Sequence, residues 1–224
     1  MTPLEGIAAR LRSDTALWSR TGMAVRTKSD DSPVSTVDLA LDAAIRESLL
    51  AAWPGIWIVS EEDPASFEVP DGRDVAIVDP LDGTENYVSG LPIWGVSVAV
   101  WIDGRHDSSL LAFPELGLSL STGDSAPVFT SRIVGHPSSS SLLSLAEHGT
   151  GPENRILGCA AFNLFCVATG RFASFSNRTG AHAWDILGGL NLARERGCGV
   201  TVEDREYGGE FLDPRRRYRF EVHR

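Results

Sequence analysis

The sequence is short of the groups that several protein classes depend on. Lysine and arginine number 20 against 30 aspartates and glutamates, a formal net charge of -10. A nucleic-acid backbone demands clustered cations, so a nucleic-acid polymer is not an expected partner. There are three cysteines, Cys159, Cys166 and Cys198. They are odd in number and form no C-x-x-C pair, which argues against a disulfide framework and a zinc site and for free thiols in a reducing compartment. No stretch approaches the ~20 apolar residues that span a bilayer. The opening residues lack a basic segment followed by an apolar one, the mark of a secretory signal. These absences predict a cytoplasmic protein without a membrane partner. No internal repeat is visible.

What is present fits a globular protein. Hydrophobic residues make up 42% of the 224 and charged residues 22%, enough for a substantial core. The chain reads as one unit, 1–224, with approximate halves 1–125 and 126–224. Leu4, Ile7, Ala8 and Leu11 recur at helical spacing, and Leu41, Ile45 and Leu49 do so after Ser35. Short apolar runs at 56–59, 75–78 and 95–101 predict strands, and 108–121 a hairpin. Further helices are expected at 160–169, with Gly170 to end it, and at 184–196. Strands are expected at 172–176 and 200–202, with a loop or helix start at 137–144. The mixture predicts an α/β layered fold. Trp18, Trp53 and Trp57 read as core residues. Exposure of Trp94 and Trp101 would bear on self-association.

The chemistry lies in the carboxylates. Asp79-Pro80-Leu81-Asp82-Gly83-Thr84 closes an apolar strand. Pro80 fixes one dihedral and Gly83 permits an unusual one, so both aspartates can converge on one point. Magnesium takes hard oxygen ligands of this kind. An ordinary acidic turn is the alternative. An EF-hand is excluded, because its loop needs oxygen ligands at positions 1, 3 and 5 with Gly at 6, and Asp79, Leu81 and Gly83 do not supply that pattern. Ser60-Glu61-Glu62-Asp63-Pro64 caps a second strand and alone reads more readily as a solvated acidic loop than as a site. Ala183-Trp184-Asp185 opens a helix, where an aspartate is also favoured by the helix dipole.

The order Ser-Glu-Glu, Asp-Pro-Leu-Asp-Gly-Thr, Trp-Asp-Ile-Leu-Gly-Gly resembles the inositol monophosphatase family. These are lithium-sensitive, metal-dependent phosphatases, in a superfamily with bisphosphate nucleotidases and fructose-1,6-bisphosphatases. Val34-Ser35-Thr36-Val37-Asp38, with Lys28 upstream, and Cys159-Ala160-Ala161 through Gly170-Arg171 are similar to further family elements. The resemblance implies an α/β/α/β/α sandwich, shortened here between about residues 116 and 157. It implies hydrolysis of a small phosphate monoester with two or three magnesium ions. Glu61, Asp79 and the carbonyl of Leu81 would bind one metal, and Asp79, Asp82 and Asp185 another. Glu61 would reach a third. Asp38 and Thr84 would orient or deprotonate the attacking water, and the amides of Gly83 and Thr84 would receive phosphate oxygens, with Asp185 also facing the substrate. A capping box with Ser35 is a competing role for Asp38. Arg178 and His182 precede the last motif, where inositol-phosphate enzymes carry an acidic residue, and could instead meet a second anion or a base. A homodimer is the implied assembly. The rivals are a 3'(2'),5'-bisphosphate nucleotidase and a non-catalytic metal-binding or partner-binding relative.

Overall fold

The computed structural model describes residues 1–27, 33–139 and 153–224. Helix α1 (Pro3–Ser13) opens on a capping box between Thr2 and Glu5. A short pairing of β1 (Val25–Thr27) with β2 (Pro33–Ser35) leads into α2 (Thr36–Ala52). The first large sheet has the order β3 (Trp57–Ser60), β4 (Val75–Asp82), β5 (Gly95–Ile102), β6 (Arg105–Phe113) and β7 (Leu118–Ser121). β3 and β4 are parallel and the rest antiparallel. α1 and α2 bury Leu4, Ile7, Leu41, Ile45 and Leu49 against one face of this sheet.

The second sheet has six strands. Its order is β12 (Arg205–Glu206), β11 (Gly199–Val202), β13 (Arg217–His223), β10 (Ser174–His182), β8 (Ile133–His136) and β9 (Glu153–Ile156). Between the sheets lie α4 (Ala160–Ala168) and α5 (Ala183–Glu195), whose apolar residues join both in one core. A single helical turn, α3 (Thr84–Val88), follows β4. The layers formed by the described residues run helix, sheet, helix, sheet. Among the described residues no helix covers the outer face of the second sheet.

The helices fall within a residue or two of their predicted limits, and Gly170 ends α4 with φ +72°. The strands differ more. β3 begins at Trp57, one residue later than the apolar run. β4 runs on through Asp82, with a register shift between Asp79 and Asp82. Pro80 has no N–H to give the ladder, so the strand bulges there instead of ending. β10 extends to His182, taking in a segment whose polarity hid its pairing with β13. β13 was not foreseen, although Tyr218, Phe220 and Val222 alternate with exposed residues along it. The 108–121 hairpin is present, its strands joined through Pro114–Leu116 and Gly117. Trp94 and Trp101 are fully buried, so neither offers a surface for self-association. Trp18, Trp53 and Trp57 are half-buried against core residues. Lys28 and residues 140–144 of the predicted 137–144 loop lie outside the described residues.

Candidate active site

The acidic motifs meet because of strand register. β3 and β4 are parallel with Ser60 opposite Val78, so both strands deliver their carboxylates at the same sheet edge. The Glu61 N–H donates to the Val78 carbonyl at 3.2 Å. α5 packs on β4 and starts beside that edge. Its Asp185 accepts the His182 N–H at 2.9 Å, which closes the first turn of the helix. One oxygen from each of Glu61, Asp79 and Asp185 then lies within 4.8 Å of the other two.

Like charges at this spacing oppose ionisation. Burial first, then the charges of Glu61, Asp82 and Asp185, push the Asp79 carboxyl well above its ordinary range. Burial and the charges of Asp82 and Glu61 do the same to Asp185. Burial raises Asp82 to about 6, opposed by hydrogen bonds from the Ala161 N–H and the Cys159 thiol. A set of hard oxygen donors, with Asp79 buried and Glu61 and Asp185 half-buried, has the chemistry that a small divalent cation requires.

Asp82 is adjacent to this trio but not within it. Its Oδ2 accepts the Ala161 N–H at 2.5 Å and the Cys159 thiol at 3.2 Å. It thereby satisfies the N-terminus of α4, where a negative charge is favoured. Leu81 donates its N–H to Asp79 Oδ1 at 3.0 Å and offers its carbonyl to the Thr84 hydroxyl at 3.0 Å.

Asp38 closes the capping box and also reaches Thr84. Its Oδ2 closes the capping box, accepting the Ser35 N–H at 2.8 Å and the Ser35 hydroxyl at 2.5 Å. Its Oδ1 is 3.3 Å from the Thr84 hydroxyl. A carboxylate has two oxygens, and here each has its own task. Gly83 precedes α3 with φ +88°, and a Cβ there would come within 3.1 Å of Cys159 Cβ and of the Ile93 carbonyl. Only glycine gives this turn both its conformation and its clearance.

Of the two flanking residues, His182 borders the centre and Arg178 faces elsewhere. The His182 ring stacks on Trp184 at 4.3 Å between centroids, and Phe67 stacks on Trp184 at 4.9 Å. Arg178 is exposed and lines a cleft on the second sheet with Ser176, Thr201 and Arg219. Arg217 was missed. It pairs with His182 across β10 and β13, donates to the Gly180 carbonyl at 2.7 Å, and its charge eases the ionisation of Asp185. The alternation of β13 was the signal that could have placed it.

The carboxylate centre lies at the strand ends of a layered α/β sandwich. The inositol monophosphatase family profile matches residues 7–133. An inositol-1-monophosphatase of Mesorhizobium japonicum is 31% identical over 212 residues, 84% of this chain and 78% of the relative. The Thermotoga maritima IMPase superposes with a TM-score of 0.75 at 23% identity, covering 99% of this chain and 89% of that one. An IMPase/NADP phosphatase solved with Mg2+ and phosphate gives a TM-score of 0.74 at 19% identity, covering 91% and 82%. The chain belongs to the inositol monophosphatase family, whose members are phosphatases. No helix among the described residues is long and apolar enough to cross a membrane.

Proposed function

We propose that the protein hydrolyses a small phosphate monoester in a magnesium-dependent reaction, with water as the nucleophile. The observation that carries this reading is the convergence of Glu61, Asp79 and Asp185 within 4.8 Å. Glu61, Asp79 and the Leu81 carbonyl would hold one ion. Asp79, Asp82 and Asp185 would hold a second, and Glu61 extends to a third. Magnesium held there would supply Lewis acidity to the attacking water and offset the charge of the phosphate dianion. The Thr84 hydroxyl and Asp38 Oδ1, 3.3 Å apart, orient that water and take up its proton. The Gly83 and Thr84 amides, at the start of α3, receive phosphate oxygens. Asp185 also borders the leaving group, beside the ring of His182.

The substrate belongs to the inositol, sugar, cyclitol or nucleoside phosphates. His182 and Arg217, both near Asp185, would meet the alcohol portion. A 3'(2'),5'-bisphosphate nucleotidase is the variant favoured by a cation, Arg217, near Asp185. We extend the reading to a cytoplasmic homodimer, with an interface that excludes the buried Trp94 and Trp101; sedimentation reads the assembly directly. The activity test is phosphate release from a panel of monoesters and 3',5'-bisphosphorylated adenosine, with and without magnesium, beside Asp82→Asn. Magnesium-dependent release that the substitution abolishes supports the reading. Binding of magnesium with no release from any ester points to the non-catalytic alternative, and no metal binding at all refutes the central claim.

A further inference from the structure

One face of α2 carries three charged side chains at successive turns, Asp38, Asp42 and Arg46. Asp38 meets Thr84, as described. The other two meet the segment that carries Glu61. Asp42 Oδ1 accepts the Ser60 hydroxyl at 2.5 Å, and its Oδ2 accepts Arg46 Nε at 2.8 Å. Arg46 Nη2 continues to Asp63 Oδ2 at 3.2 Å. Ser60 and Asp63 bracket Glu61 and pair with each other as an isolated bridge. The bracket is closed internally as well. The Ser60 N–H donates to Ser66 Oγ at 3.1 Å, Ser66 Oγ donates to the Asp63 carbonyl at 2.5 Å, and the Glu62 N–H donates to Ser60 Oγ at 3.3 Å.

We infer that Asp42 and Arg46 are positioning residues for the metal centre, fixing the Ser60–Asp63 segment to α2 so that Glu61 is held at its ligating distance. The inference rests on the reading of Glu61 as a metal ligand and adds the device that presents it. Glu61 stands one residue beyond the end of β3, where its N–H on the Val78 carbonyl continues the pairing with β4 and the chain turns away. Its backbone position depends on Ser60 behind it and Asp63 ahead of it. Both are tied to one helix through a single carboxylate and a single guanidinium. That helix also carries Asp38, so the ligand and the water-activating pair share one rigid support. Neither Asp42 nor Arg46 touches the metal or the substrate in this account.

The sign of the effect separates positioning from charge. Arg46 is a cation near a cation site, so deleting its charge would by electrostatics alone tighten magnesium binding. Loss of positioning loosens it. Partners that orient metal ligands typically contribute 10–100-fold in metal affinity. The experiment measures the magnesium dissociation constant by calorimetry on the intact protein, with the substrate KM at saturating magnesium as a second readout. The variants are Arg46→Met, Arg46→Lys and Asp42→Asn. The control is Glu47→Gln, which breaks the Arg10 pair on the same helix at 2.8 Å without contacting the Glu61 segment. We expect both Arg46 variants to weaken magnesium binding about tenfold and to leave KM within twofold, with Glu47→Gln unchanged. Arg46→Lys keeps the charge but not the forked geometry, so weaker binding in that variant supports positioning. Arg46→Met and Asp42→Asn that fold and bind magnesium as tightly as the parent, or more tightly, overturn the inference while the metal reading stands. A parent protein that binds no magnesium overturns both.

Discussion

Asp79 shows how far one residue can be unfavourable for folding and still be kept. It is buried, and its carboxyl is pushed up by burial and by three neighbouring carboxylates. Asp79→Asn removes a buried like charge while preserving shape. We expect the metal-free variant to melt higher than the parent by ~2–4 °C, the shift that about 1 kcal/mol gives a chain of this size. It should also lose the stabilisation that magnesium gives the parent. Differential scanning calorimetry with and without magnesium checks both, and a lower metal-free melting temperature would contradict the account. Thr84 makes the complementary case. Thr84→Val preserves shape but removes the hydroxyl between Leu81 and Asp38. A fall in kcat of about 10²–10⁴, the usual contribution of a positioned proton-transfer group, is expected with little change in melting temperature. Thr84→Ser should retain most of the rate. The carboxylates that converge, Glu61, Asp79 and Asp185, were legible because each motif couples an unusual carboxylate to a strand end or helix start. The hydrogen bonds from Ala161 and Cys159 to Asp82 were not legible, since they join residues almost eighty positions apart in sequence.

Among the elements, helices were read more accurately than strands, and the reason is physical. An amphipathic helix such as α1 declares its period and its cap within a dozen residues. A strand is defined by a partner that can lie anywhere in the chain. The half of β10 beyond Ser176 looked like a polar loop, and its pairing with β13 makes it a strand. The same dependence governs the turn from β4 into α3. Gly83→Ala places a Cβ in a left-handed conformation and against Cys159 and Ile93. A loss of ~1–2 kcal/mol in stability from the conformation alone, with a raised substrate KM, is the outcome that steady-state kinetics and denaturant unfolding should show. A second element-level term lies between β6 and α5. His106 Nε2 is 2.7 Å from Ser109 Oγ, beside Trp101, with Glu195 of α5 at 3.6 Å from Nδ1. Burial lowers its pKa to about 4 from 6.5, with the Arg194 charge acting the same way and Asp107 opposing. The unfolded chain takes up this proton first as pH falls. The stability contribution is therefore complete above 6.5 and is lost between 6.5 and about 4. His106→Gln, which keeps a polar partner for Ser109 and cannot titrate, should reduce the loss of unfolding free energy between pH 7 and 4.5.

At the scale of the whole molecule, the fold brings two sheets around shared helices and leaves a knot of negative charge at the edge of one of them. The net charge of -10 adds to the cost of that knot, and its remedy is a cation. The metal-free centre and the metal-bound one should therefore respond to pH in opposite ways. In the metal-free protein Asp82 titrates at about 6, above its ordinary 3.8. Between those values the folded chain holds a proton that the unfolded chain has released. This contribution is present at low pH and is lost as pH rises through about 6. Magnesium binds the ionised carboxylates, so protons compete with it below that point. Free magnesium at a hundred times its dissociation constant stabilises a protein by about 2.7 kcal/mol, which corresponds to ~5–10 °C for a chain of this length. The melting temperature should rise by about that amount at pH 8 and by much less at pH 5 at the same magnesium concentration. Calcium, a larger ion with oxygen ligands of its own preference, should stabilise the fold without supporting phosphate release. A magnesium shift of equal size at both pH values would mean that the ion binds somewhere other than the Glu61, Asp79, Asp82 and Asp185 centre. The charge that makes this edge costly to fold is the same charge that recruits the ion, so stability and catalysis should share one magnesium titration curve.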